Sequence, residues 1–172
     1  GVVKEGFRLD GAVPEVVVNQ TSDSLVDFRV ESNNQTHMLF VDGSQDFVGI
    51  KTDTPLVTFD VNGEVRNSGG VYRKLRDVNS TSSVLQTDYM IRCIQNNAIT
   101  LTLPAKQDNS GQILIIKDML GNAGSPNNKT ITINAASNET IDGTSNYVIN
   151  TNRGSVTLMC DGINGWMIIG KY

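Results

Sequence analysis

An all-β protein is predicted, on three observations. No window of a dozen residues carries apolar positions at i, i+3, i+4 and i+7 without a Gly, Pro or Asn interruption. Apolar–polar alternations, each about five residues long as strands commonly are, recur along the chain and are cut by turn pairs such as Asp42-Gly43, Asn62-Gly63 and Asn164-Gly165. The composition agrees: hydrophobic residues make up 38% and charged residues 19%, and Asn, Thr, Ser and Gly fill the gap. Those residues favour loops and strand faces over helices.

Two regions differ in character. From Leu25 to Arg66 four runs read as strands: Val26 to Val30, His37 to Val41, Phe47 to Lys51 and Val57 to Val61. Ser-Asn-Asn-Gln, Asp-Gly-Ser-Gln, Asp-Thr-Pro and Asn-Gly separate or close them. Each run places apolar residues at matching alternate positions: Phe28 and Val30, Leu39 and Val41, Val48 and Ile50, Phe59 and Val61. Alternate residues of a strand face one way, so these eight form a ladder whose apolar side needs a cover. The cover is either the following region or the same strands of neighbouring chains wound about a common axis. The modest size of the side chains, with no Trp among them, suits a narrow threefold axis.

From about Gln86 to Tyr172 the pattern is denser. Strands are expected at Tyr89 to Gln95, Ile99 to Leu103, Gln112 to Lys117, Thr130 to Asn134, Thr140 to Asp142, Tyr147 to Ile149, Ser155 to Cys160 and Trp166 to Ile169. Short strands with turn signals between them predict a β-sandwich or jelly-roll-like double sheet. The joint falls at Asn67-Ser68-Gly69-Gly70, and Gly121 to Asn128 reads as a long exposed loop. The closing strand on Trp166 and Ile168 tucks the C-terminus into the fold, which leaves the N-terminal end for attachment. The chain starts at Gly1 and not at a methionine, which suits a fragment or a processed form.

The charge balance excludes whole classes of partner. A net charge of -4 argues against nucleic acid, and the one basic run, Tyr72 to Arg76, reads as a solvated connector. No apolar stretch approaches a membrane span, and no charged-then-apolar leader opens the chain, so a protein not inserted in a membrane is expected. The two cysteines, Cys93 and Cys160, sit within apolar alternations and read as buried thiols rather than as a disulfide. Five Asn-x-Ser/Thr sequons, at Asn19, Asn34, Asn79, Asn128 and Asn138, are expected by chance in so Asn- and Thr-rich a chain.

Little chemistry is spelled out. His37 is the single histidine and lies in the polar stretch Asn34 to Met38, a poor setting for a catalytic base. Asp142 and Asp161 supply a carboxylate pair of the kind that cleaves glycosides, but each precedes a glycine, as do Asp10 and Asp42, and Asp-Gly is foremost a hairpin turn. No long repetitive β-helix reads from the spacing to build a polysaccharide-cleaving groove. Phosphate loops and metal-ligand spacings are absent, so no cofactor, no metal and no enzymatic activity are expected. Aromatic side chains are the remaining contact candidates. Trp166 followed by Met-Ile-Ile reads as core; Tyr147, beside Ser145-Asn146 at a strand start, reads as an exposed contact, and Tyr147, Asn146 and Tyr89 are the ligand-contact candidates.

Phe28 to Gly43, then Val48-Gly-Ile-Lys-Thr-Asp-Thr-Pro and Phe59-Asp-Val-Asn-Gly-Glu-Val-Arg, resemble the repeated shaft segment of bacteriophage tail-fibre and head-fibre proteins. That segment commonly reads Val-Gly-Ile-Gly-Thr-x-x-Pro before a Leu-x-Val-x-Gly run; here Lys51 replaces the second glycine. Thr100-Leu-Thr-Leu-Pro, Gly111-Gln-Ile-Leu-Ile-Ile-Lys-Asp, Glu139-Thr-Ile-Asp-Gly, Ser155-Val-Thr-Leu-Met-Cys-Asp-Gly and Trp166-Met-Ile-Ile are similar to a β-rich module near the ends of virion fibres and spikes. The resemblance spans about Phe28 to Tyr172. It implies a homotrimer on the virion surface with an N-terminal attachment segment (1–24), an intertwined β shaft (25–68) and a β-sandwich head (69–172). Phe28, Val30, Leu39, Val41, Val48, Ile50, Phe59 and Val61 would then form the trimer interface, the N-terminal end would meet other virion proteins, and the head would meet a host-surface glycan or protein. Two other functions stand beside this one: a capsid decoration or spike that binds through Gly1 to Asp23, where Val13 to Val18 reads as a strand, and a polysaccharide-degrading enzyme using Asp142 or Asp161.

Overall fold

A computed structural model describes residues 7–10, 15–19 and 21–172. The protein is all-β, and the strands of the described residues gather into four sheets. It divides into two compact units, 1–70 and 71–172.

In the first unit β1 (Phe7–Asp10) and β2 (Glu15–Val18) form an antiparallel hairpin. The rest of the expected attachment segment lies partly outside the described residues. Then β3 (Phe28–Ser32), β4 (Gln35–Asp42), β5 (Phe47–Ile50) and β6 (Phe59–Val61) make a four-stranded sheet in chain order. The first three strands are antiparallel, while β6 runs parallel to β5. β3 begins two residues later than the alternation suggests, because Asn19 holds Val26 in a loop: its Nδ2 donates to the Asp23 and Val26 carbonyls at 2.8 and 3.2 Å. β5 ends at Ile50, since Lys51 takes a left-handed backbone (φ 58°). The crossover to β6 is short and passes close over Gly49, where a Cβ would lie 2.7 Å from the Thr52 carbonyl oxygen. Only glycine fits there, and Phe40, beside Gly49 in the register, is buried on that same face.

In the second unit the chain winds between two sheets. β7 (Leu75–Val78), β9 (Met90–Cys93) and β11 (Ile113–Asp118) lie parallel in a six-stranded sheet. β8 (Ser82–Ser83), β10 (Ile99–Thr102) and β12 (Ile131–Asn134) lie parallel in a four-stranded one. Successive strands therefore alternate between layers, forming three turns of a two-sided coil. The remaining strands close it. β13 (Thr140–Ile141) pairs parallel with β16 (Gly165–Lys171), β14 (Asn146–Ile149) pairs antiparallel with β12, and β15 (Ser155–Cys160) lies antiparallel between β11 and β16. The expected double sheet is present, but its pairing is mixed where a jelly roll would be antiparallel. No sequence repeat marks the coil because its turns are unequal: Leu75 to Met90 is fifteen residues and Met90 to Ile115 twenty-five.

In-register rows fill the space between the sheets. Ile91, Ile116 and Val156 form one row; Ile99, Ile131 and Ile149 form another on the facing sheet. All are buried, and each such side chain contributes roughly 1.5–3 kcal/mol. Trp166 closes the end of the core at 2% exposure, its Nε1 donating to the Pro104 carbonyl.

Two buried carboxylates hold the turns. Asp88 accepts a forked pair from Arg76 Nε and Nη2 (2.9 and 2.6 Å at Oδ2) together with the Leu85 N–H. Arg76 thereby belongs to the structure, as does Lys74, whose Nζ donates to Thr87 Oγ1 at 2.8 Å and lies 3.8 Å from Asp88, so the basic run is not merely a solvated connector. Asp118 accepts the backbone N–H groups of Gly121, Ala123 and Arg153, each at 3.1 Å. This corrects the expected exposed loop at Gly121–Asn128: Ala123 and Gly124 are buried under it, and only Ser125–Asn128 face solvent.

Replacing Asp118 by Ala would leave three N–H donors without their acceptor in the interior, where each unmade bond costs ~1–3 kcal/mol. A loss of about 3 kcal/mol or more in urea unfolding is expected; a variant as stable as the unmodified protein would refute this role.

Candidate functional site

Three surfaces offer themselves for recognition. The first is the ladder. Phe28 lies beside Val41, Val41 beside Val48 and Val48 beside Phe59, while Val30 lies beside Leu39 and Ile50 beside Val61. All eight ladder residues therefore fall on one face of the four-stranded sheet of the first unit. None is buried, and Phe28, Val30 and Phe59 are 38%, 43% and 61% exposed. The short crossover occupies the opposite face; on this one Phe28 and Val41 share a concavity with Val18, Asn19, Ser22 and Val26, while Val30 and Phe59 are exposed. Leu56, Val57 and Val65 add further exposed apolar surface at the β6 end.

The two outer faces of the second unit differ in chemistry. On the six-stranded sheet Leu75, Met90 and Ile115 form one outward row, and Ile113, Met159 and Met167 another. On the four-stranded sheet the outward rows are Ser83–Thr102–Asn134–Asn146 and Thr100–Thr132–Val148, almost entirely hydroxyls and amides.

Asn134 and Asn146 continue from that polar face into a concavity of about 400 Å³, which Ala136, Ser137, Asn138 and Glu139 also line. Glu139 Oε1 accepts the Lys106 N–H at 3.1 Å, whereas its Oε2 is enclosed without a partner. The side chains of Asn134, Ser137 and Asn138 have no hydrogen-bond partner among the described residues, and Asn146 makes a single long contact, 3.4 Å to Ser145 Oγ. Some other amides of this unit are committed, although among the described residues Asn79, Asn96, Asn97, Gln107 and Asn150 are not. Asn122 donates to the Gln95 carbonyl, Asn152 to the Ser125 carbonyl and Gln112 to the Gln86 carbonyl.

The three ligand-contact candidates separate. Asn146 is exposed at the concavity. Tyr147, expected to project outward, is instead turned inward and half-buried against the core, because it shares a strand face with buried Ile149. Tyr89 is half-buried at the start of β9 with the Arg73 guanidinium 5.3 Å above its ring. What sequence reasoning missed is the concavity around Asn134 and Asn138. Its strand is legible, but the Ala135–Glu139 turn that folds over it has no signature of its own.

The aspartates of the carboxylate pair serve turns. Asp161 Oδ1 accepts the N–H groups of Ile163, Asn164 and Gly165 at 2.8–2.9 Å, and bonds led by Gly165 hold its carboxyl below the ordinary range. Asp142 accepts the Ile168 N–H at 3.2 Å from a left-handed backbone. Asp42 is likewise held low by Ser44, whose hydroxyl and N–H it accepts at 2.7 and 2.8 Å. Both cysteines are free and buried, as the alternation predicts; burial, aided by the Asp118 charge, pushes the Cys93 thiol up to about 12. No grouping of His, Cys, Asp and Glu able to hold a metal occurs among the described residues. No helix of the described residues is long and apolar enough to cross a membrane.

Comparison with known proteins finds no family model that matches the chain and no similar curated protein.

Two outcomes follow. Native protein at pH 8 should leave both thiols unreacted with Ellman's reagent, and both should react in denaturant; rapid native labelling would contradict their burial. Because its folded pKa is depressed, Asp161 stabilises fully above the ordinary aspartate value near 4 and loses that contribution as pH falls through the lower folded value. Asp161→Asn should therefore be less stable than the unmodified chain at pH 7, with the gap closing on acidification below about 4. A gap that does not change with pH would contradict the turn assignment.

Proposed function

We propose that this chain is a subunit of a virion fibre or spike. It assembles as a homotrimer through the ladder face of its first unit, and its second unit contacts the host surface, a glycan or a protein. The observation that supports this most strongly is the ladder itself: eight apolar side chains share one sheet face, and a single chain buries none of them. A contiguous apolar face of this kind marks an interface. Three copies related by a common axis bring three such faces together, and Val, Ile, Leu and Phe at alternate positions fill the narrow space between them. The resemblance of Phe28 to Arg66 to phage fibre shafts points the same way.

Attachment through the second unit draws on its polar sheet face and on side-chain amides that the fold leaves unused. The N-terminal end of the chain serves for anchoring to other virion proteins. Catalysis has little support, since Asp142 and Asp161 are engaged in turns.

Val48 and Ile50 lie at the centre of the ladder, so Val48→Asp with Ile50→Asp would bring carboxylates of three chains close together in an apolar setting. Size-exclusion chromatography should show this double variant as single chains or aggregate. A variant of the same assembled size as the unmodified protein would overturn the shaft interface.

A further inference from the structure

We infer that the concavity between Asn134, Asn138 and Asn146 is where the second unit binds its ligand, and that the ligand is a neutral saccharide. This rests on the attachment proposed for that unit. The argument starts from hydrogen-bond accounting. Asn122 and Asn152 spend their amides tying one loop to another, on the Gln95 and Ser125 carbonyls. Around this concavity the Asn134 and Asn138 amides and the Ser137 hydroxyl are all uncommitted, and Asn146 nearly so. Each amide offers two donors and an acceptor, the combination that vicinal sugar hydroxyls satisfy.

Charge narrows the class. The titratable side chain lining the concavity is Glu139, and no Lys or Arg lines it. An anionic sugar or a phosphate would find no counter-charge and would meet a carboxylate, whereas a neutral hydroxyl would not be penalised. Ala135 and Ala136 are the apolar residues of its lining, Ala135 packed in part against the core. A volume of about 400 Å³ suits a small ligand segment rather than a protein loop. Longer ligands have a path outward, since Asn134 and Asn146 lead into the row through Thr102 to Ser83, one polar side chain per strand at the ~4.8 Å strand spacing.

The test is an array of neutral and acidic oligosaccharides probed with the unmodified chain and with Asn134→Ala, Asn138→Gly and Asn146→Ala. Glycine is chosen at Asn138 because that backbone is left-handed (φ 62°). Asn97→Ala, in the turn between β9 and β10, is the control. Neutral members should be retained, each concavity variant should bind about fivefold more weakly, the loss of one hydrogen bond, and the control should be unchanged. Retention of acidic members alone, or equal binding by all variants, would overturn the inference. Parallel binding to a panel of bacterial cells separates the two levels: cells bound without any saccharide sinks the saccharide site and leaves attachment standing, while neither bound sinks both.

Discussion

Everything in the second unit depends on aliphatic side chains stacking in register between two sheets. A parallel coil turn cannot bury its own apolar side; it must be covered by the facing sheet and continued by the next turn. Ile91 over Ile116 over Val156, facing Ile99 over Ile131 over Ile149, does both at once. Shifting one strand by a single residue would send its buried set to the outside, so the rows fix the register of the whole unit. Much of the polar interior holds backbone at turns. Asp88 and Asp118 are fully buried side chains, yet every interaction they make fastens a turn to the stack. The same logic explains Gly165, whose Cβ would come within 2.4 Å of the Thr140 carbonyl oxygen where β13 meets β16.

The first unit obeys the opposite arithmetic. Its four strands are short, its buried apolar content among the described residues is little beyond Phe40, and its best-ordered apolar rows face outward. Among the described residues no second sheet packs across its apolar face, whereas the other unit has one within a single chain. The outer face of the six-stranded sheet, with Ile113, Ile115, Met159 and Met167, carries apolar surface too, while the facing layer shows Thr and Asn. The proposed assembly and the proposed recognition would use surfaces of different chemistry.

How much of this was legible before the structure depends on the kind of signal. Strands whose side chains alternate strictly, such as Ser155–Cys160, are read to the residue, because one buried face imposes period two. Boundaries shifted where a side chain overrode the pattern, as Asn19 did at Val26 and the left-handed Lys51 did at the end of β5. β7 and β8 escaped notice: Leu75–Val78 carries Arg76 on its inner side, satisfied by an Asp88 twelve residues away, and Ser82–Ser83 has no apolar residue. The ladder was visible as eight matched positions, but the concavity was not, since it is made of polar residues from β12, β14 and the turn between them. Tyr147 misled because an aromatic beside Ser-Asn reads as surface, whereas its phase with Ile149 turns it inward.

The central claim is that the ladder of the first unit is covered by other copies of the chain, and the molar mass of the unmodified protein in solution tests it most directly. Light scattering across a size-exclusion peak should give three times the 18.7 kDa of one chain. A homogeneous species at 18.7 kDa, unchanged over a wide concentration range, would contradict the account.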